Sequence, residues 1–258
     1  MTELIHGDCI QELAKLKENS VDLILTDLPY GCGKTAFKWD AQIPIEELWT
    51  LYRNVIKDDG VIVLFGNEPF TSKLVIGALD IFRYKMIWKK DSPTGFLNCN
   101  YRPLSVFEDI LVFSKATVGS LSKNPIRYFP QGTQDVNIIK RNNPKSKWRQ
   151  NKGYGGHNKL NSNEKYTQHK TGYPTDILCF ARDKEKYHPT QKPVALLEYL
   201  IKTYTRDEET VLDSCMGSGS TGIACLNTNR NFIGMELDEK VFNIAKERIT
   251  NREAELYL

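Results

Sequence analysis

Short apolar runs alternate with amphipathic stretches at both ends of this 258-residue chain, and a long middle stretch interrupts them with no period at all. Residues 3–5 and 21–26 read as buried strands with an amphipathic helix over 10–16 between them. Helical spacing over 43–56 ends at Asp59-Gly60, and the apolar run 61–65 suits a parallel strand. A helix over 69–79 follows, then strands over 83–88 and 109–113 separated by a turn-rich stretch, 91–103. The rhythm stops at Lys115 and resumes with a helix over 193–204, a strand over 210–213, a helix over 221–226, a strand over 231–236 and a helix over 238–249. Such alternation predicts an α/β fold with one doubly wound, mostly parallel sheet assembled from both ends of the chain. The length suits one sizeable domain carrying an insert, with a first half over 1–114, an insert over 115–180 and a second half over 181–258.

Charge marks the same interruption. The net charge is +3, yet residues 115–175 hold twelve Lys or Arg against Asp135 and Glu164, so this segment is +10 and the remainder −7. A basic block beside an acidic remainder points to a polyanionic partner. Aromatic residues are interleaved with it, namely Tyr128, Phe129, Trp148, Tyr154, Tyr166 and Tyr173. Its densest part is Lys140, Arg141, Lys145, Lys147, Trp148 and Arg149, a pattern suited to phosphate contacts with rings near bases of double-stranded DNA. The six cysteines occur singly without a Cys-x-x-Cys pair, so reduced thiols and no metal site are expected. The longest apolar runs are far shorter than a membrane span and the start Met1-Thr2-Glu3 has no signal pattern. The expectation is a cytoplasmic protein with no membrane partner.

In the second half, Asp213 closes an apolar strand and Gly217-Ser218-Gly219-Ser220-Thr221-Gly222 follows, giving Gly-x-Gly-x-x-Gly at a helix start. Glycines there permit a tight turn and close approach of a ligand to backbone N–H groups, where negative charge is favoured. Glu236 lies nineteen residues beyond Gly217 and suits both ribose hydroxyls of an adenosine. NAD, FAD and S-adenosylmethionine proteins share this signal, so the motif by itself leaves the nucleotide open.

The first half decides among them. Asp27-Leu28-Pro29-Tyr30 stands at the carboxyl end of a predicted parallel strand, where open α/β sheets place ligands. Here the chain resembles the DNA amino-methyltransferases, whose Asp/Asn/Ser-Pro-Pro-Tyr/Phe/Trp tetrapeptide occupies this place. Three further stretches match the same family: His188 to Pro193, Phe232 to Asp238 and Glu108 to Lys115. The order of catalytic motif, insert and cofactor motif is that of the beta class. It implies a circularly permuted Rossmann-like methyltransferase sheet whose insert recognises the target.

The resemblance implies direct transfer of a methyl group from S-adenosylmethionine to adenine N6, with no metal. Asp27 and a backbone carbonyl of the tetrapeptide would accept the two amino hydrogens and stabilise charge developing on nitrogen. Tyr30, set by Pro29, would stack on the flipped base. Thr190 and Lys192 would meet the carboxylate of the cofactor, and Asp8, Cys9 and Phe65 its adenine end. For Asp8 a helix cap, and for Phe65 a core aromatic, stand as alternatives. The sequence departs from the family at Leu28, where proline is usual, which frees a backbone φ and restores an N–H.

A homodimer and a cognate restriction endonuclease are the further candidate partners. Cytosine N4 is the alternative acceptor, because many cytosine enzymes of the family begin the tetrapeptide with Ser, although the distinction is not strict. A non-catalytic DNA-binding protein on a vestigial fold is a second alternative, raised by Leu28. A nicotinamide oxidoreductase would leave Asp27 to Tyr30 and the basic insert unexplained.

Overall fold

The computed structural model describes residues 1–31, 43–119, 121–141, 165–185, 187–188 and 190–256. These form two compact units, Met1–Phe129 with Asp176–Leu258, and Pro130–Thr175.

The larger unit is built on β1 (Thr2–His6), β2 (Val21–Thr26), β3 (Ile56–Gly66), β4 (Phe82–Thr94), β5 (Ser105–Phe113), β8 (Ile177–Cys179), β9 (Thr210–Asp213) and β10 (Asn231–Glu236). Their order across one sheet is β1-β10-β9-β2-β3-β5-β4-β8. Pairings are parallel except where β5 lies antiparallel to β3 and β4, so the sheet is mostly parallel. All six residues of β2 are buried, as an inner strand covered on both faces must be. Leu23 and Leu25 face a core that includes residues of α4 (Val194–Tyr204), α5 (Ser220–Asn227) and α6 (Glu239–Leu256). Ile24 faces the other core, shared with α1 (Cys9–Leu13), α2 (Ile45–Val55) and α3 (Phe70–Gly77). Leu28, the unexpected residue of the tetrapeptide, is buried in this second core. An apolar side chain there is held by packing, which supplies part of the order that a second proline would give.

Two expectations need correction. Asp59-Gly60 does not separate the helix from a short strand. β3 starts at Ile56, and the pairing jumps from Val21–Ile56 to Leu23–Val61, so these residues are accommodated as an irregularity within the strand. The second concerns the basic segment. Lys115 and Arg127 belong to the larger unit, where they engage acidic groups at the amino ends of the strands. Arg127 lies 2.7 Å from Asp22, 2.6 Å from Asp59 and 2.8 Å from Glu209, while Lys115 donates to the carbonyl of Ile56. Asp22 is buried and also accepts from the backbone N–H of Thr210. Counting charge by segment cannot separate these structural cations from a binding surface.

In the smaller unit, the stretch without period contains β6 (Gln134–Arg141) and β7 (Lys165–Thr171), paired antiparallel as a ribbon. Alternation is hidden there because both strands are largely exposed, the adjacent Ile138 and Ile139 put apolar groups on both faces of β6, and β7 is polar apart from Tyr166. The unit is narrower than the expected insert, since β8 returns to the main sheet beside β4. Among the described residues no helix is long and apolar enough to cross a membrane.

Candidate active site

The connection through α2 runs from β2 to one side of the sheet and the connection through α5 runs from β9 to the other, so the topology switches between β2 and β9. A crevice outside the carboxyl ends of such strands is where open α/β sheets hold ligands. A cavity of about 750 Å³ lies there, within the range of roughly 300–1,000 Å³ usual for ligand sites. Asp8 and Cys9 after β1, Asp27 to Tyr30 after β2, Phe65 in β3, Asp213 at the end of β9 with Ser214 to Ser218 after it, and Glu236 at the end of β10 all line it.

On its nucleotide side Gly217 and Gly219 take φ values of +51° and +80°, left-handed conformations that side chains disfavour. The Gly217 N–H donates to Glu236 Oε2 at 3.0 Å, and Glu236 Oε1 accepts from the Asp238 N–H at 3.0 Å. Asp213 accepts from Thr221 Oγ1 at 2.6 Å and from the Cys215 N–H at 3.1 Å. Burial pushes its carboxyl up to about 6 against these donors. Ser220 accepts from Arg248 at 2.9 Å. Asp8 caps α1, taking the N–H of Ile10 at 2.9 Å and of Gln11 at 3.3 Å, so its carboxylate does the capping work that stood as the alternative.

On the other side Tyr30 stacks on Phe70 with ring centroids 4.9 Å apart. Burial, then the charges of Asp27 and Glu108, raise the Tyr30 phenol well above its ordinary value, so it stays neutral. Asp27 Oδ2 accepts from Lys192 Nζ, while Asp27 Oδ1 is buried and has no hydrogen-bond partner among the described residues. Burial raises the Asp27 carboxyl, and the Lys192 ammonium partly offsets this. Lys192, the residue expected at the carboxylate of a cofactor, lines the cavity with its Nζ between Asp27 and Glu108, 3.2 Å from Glu108 Oε2 and 5.0 Å from the Phe65 ring centre. A nearly buried ammonium is stable only beside acceptors, and the two carboxylates outweigh the burial that would lower its proton affinity. Thr190, two residues earlier, is exposed at the cavity and lies 3.0 Å from His188 Nδ1.

Glu108 and Lys90 are members of this site that sequence reasoning missed. Glu108 Oε1 lies 2.6 Å from Lys90 Nζ, and both line the cavity. The signal was present in Glu108, a carboxylate two residues before the apolar run 110–113, whereas Lys90 adjoins a turn-rich stretch and carries none. Of the basic residues expected at DNA, Lys140 is exposed on β6 and Arg141 ends that strand. Lys145, Lys147, Trp148 and Arg149 lie outside the described residues.

A family model described as DNA methylase matches residues 21–247. The type II methyltransferase M.HpaI of Haemophilus parainfluenzae is 29% identical, the match covering 95% of this chain and 73% of that protein. The DNA adenine methyltransferase YhdJ of Escherichia coli K12 is 28% identical over 95% of this chain and 82% of its own. Among solved structures, the M1.HpyAVI–SAM complex superposes with a TM-score of 0.58 at 27% identity, covering 96% of this chain and 100% of that one.

Proposed function

The chain belongs to this DNA methylase family, and on that premise we propose that it methylates the N6 amino group of adenine in double-stranded DNA, with S-adenosylmethionine as methyl donor. One observation carries the reading: Asp27 lines the cavity near the Tyr30–Phe70 stack and keeps one carboxylate oxygen, the buried Oδ1, without a hydrogen-bond partner among the described residues. An exocyclic amine is a weak nucleophile because its lone pair is shared with the ring. A carboxylate accepting one amino hydrogen draws that pair toward nitrogen and stabilises the charge that grows there. Tyr30, neutral and buttressed by Phe70, is the surface on which an extruded base stacks. The carbonyl of Leu28 or Pro29 serves as the second acceptor in this reading, and Asp27 takes up the proton that the alkylated amine sheds.

The residues present fit the donor. The Gly217 turn leaves open space where a side chain would stand, Glu236 offers a carboxylate to ribose hydroxyls, and Thr190 offers a hydroxyl toward the amino-acid end. Phe65, Cys9 and Asp8 border the adenine end in the same reading. When bound, the donor supplies a methyl group made electrophilic by a sulfonium sulfur.

The name of YhdJ supports adenine as the base. Incubating the protein with mixed-sequence DNA and labelled donor, then digesting to nucleosides for mass spectrometry, is expected to yield N6-methyladenine. Label in N4-methylcytosine alone would replace the base, and no label in either would remove the reaction. The type II name of M.HpaI supports a cognate restriction endonuclease as a partner. The homodimer rests on the family resemblance, and light scattering of the purified protein reads it directly.

A further inference from the structure

Four charged side chains alternate in sign along one wall of the cavity, in the order Lys90, Glu108, Lys192, Asp27. Lys90 and Glu108 are 2.6 Å apart, Glu108 and Lys192 are 3.2 Å apart, and Lys192 donates to Asp27 Oδ2. Three of them are close to fully enclosed, with side-chain exposures of 9% for Lys90, 13% for Glu108 and 8% for Lys192. Buried charges are tolerated only when paired, so the row stands or falls as a unit. Asp27 Oδ1 and Glu108 Oε2 are the buried oxygens of the row without a hydrogen bond among the described residues, and Glu108 Oε2 has the Lys192 ammonium at 3.2 Å.

The row is anchored on the paired strands β4 and β5. Glu108 sits on β5 directly opposite Trp88 of β4, and Lys90 is two residues further along β4, a diagonal neighbour on the same face. Lys90 also lies over the Trp88 ring, 5.6 Å from its centre, and the Trp88 indole donates to the Phe180 carbonyl. Lys192 has four rotatable side-chain bonds and comes from the loop before α4, so nothing in its own element fixes its ammonium. The anchored carboxylate does.

We propose, resting on the reading of Asp27 as the amine acceptor, that Glu108 and Lys90 are positioning residues that hold Lys192 on one oxygen of Asp27 and so present the other oxygen to the target amine. Glu108 supplies the fixed negative charge between two ammonium groups. Lys90 prevents that charge from acting on Asp27 as an uncompensated repulsion. Without Glu108 the Lys192 ammonium loses one of its two anionic partners and faces Lys90 unscreened, so it is no longer held in one geometry on Asp27 and the carboxylate is freer to rotate. The groups facing Asp27 are then His188 and Tyr30, neither of which replaces an ammonium.

Two measurements on the full-length protein test this. The first needs no turnover: lysine ammonium signals in 15N-edited NMR spectra of the ligand-free protein. Exchange-protected signals from Lys90 and Lys192 are expected, assigned by K90M and K192M, with the Lys192 signal lost or broadened in E108Q. A Lys192 signal unchanged in E108Q would overturn the proposal even if the substrate base were assigned wrongly.

The second is kinetic. E108Q is expected to lower kcat about tenfold or more, less than the roughly 100- to 1,000-fold that follows loss of a direct hydrogen-bond donor. KM for DNA and the dissociation constant of S-adenosylhomocysteine should stay within about twofold. K90M should act in the same direction more weakly, and E108Q should add little in a K192M background. Full additivity of E108Q with K192M, or a rise in KM for DNA at constant kcat, would show that Glu108 acts otherwise. If wild-type protein methylates no DNA, the reading of Asp27 fails while the NMR result still decides the geometry.

Discussion

Lys192 and Asp27, 165 positions apart in the chain, meet at a single carboxylate oxygen because the two halves of the sheet join between β2 and β9. The contact brings a residue from the loop before α4 onto the one side chain that the proposed chemistry cannot lose. Asp27→Ala is therefore expected to reduce methyl transfer at least 100-fold while S-adenosylhomocysteine binding changes by less than about threefold. Filter-bound counts from a labelled donor and calorimetric titration read the two quantities. Turnover near that of wild type would dismiss Asp27 as the acceptor.

The same pair sets a pH dependence. Burial raises the Asp27 carboxyl, Lys192 counters this, and only the ionised carboxylate accepts from the amine. Lys192→Met removes the counter-charge, so the acid limb of the kcat profile should move to higher pH. The expected variant loses activity over a pH range where the wild type is still active. An acid limb that stays in place would mean that Lys192 does not govern the charge on Asp27.

Asp213 makes a stability prediction of definite sign. Its carboxyl is pushed up to about 6 by burial, above the ordinary 3.8, so the folded state favours the protonated form. The stabilisation is fully present below about pH 4 and is lost as pH rises through 6, a difference on the order of 3 kcal/mol. Asp213→Asn is always neutral, so its Tm relative to wild type should improve from pH 5 to pH 8. Parallel melting curves across that range would show that the charge is compensated in the fold.

Gly222 tests the packing beneath the nucleotide turn. A Cβ there would lie 2.5 Å from Ile249 Cδ1 and 2.8 Å from Phe232 Cε1. Gly222→Ala should cost about 1–3 kcal/mol, read as a lower urea midpoint. Ile249→Val, which deletes the nearer atom, should restore part of the loss in the double variant. Equal midpoints for Gly222→Ala and wild type would show that α6 shifts without cost.

Most of the sheet was legible because buried parallel strands are continuous apolar runs, and Val21–Thr26 and Asn231–Glu236 sit where periodicity put them. The turns that carry chemistry were legible for another reason: Asp27 and Gly217 follow strands and Asp213 ends one, all at carboxyl ends, which a linear order of elements already locates. What escaped was relational. Nothing local announces that Lys192 meets Asp27, since that contact is set beside Glu108 arriving from β5. Nor does Arg127 differ by type from Arg141 of the ribbon, although three carboxylates claim it. The β6–β7 ribbon was invisible because exposed strands lose the period that burial imposes.

That ribbon is where a contribution to DNA affinity can be separated from catalysis. Lys140 on β6 and Lys170 on β7 are exposed, and both lie in the segment whose charge is concentrated at +10. If they neutralise phosphates, each contact releases counterions, and the slope of log affinity against log salt falls by about 0.9 per contact removed. Lys140→Gln with Lys170→Gln should therefore weaken DNA binding most at low salt and flatten the slope by about 1–2, with S-adenosylhomocysteine affinity unchanged. Fluorescence anisotropy of a labelled duplex at several salt concentrations measures it. A slope equal to that of wild type would move the phosphate contacts off the ribbon and leave Lys140 and Lys170 as solvated charges.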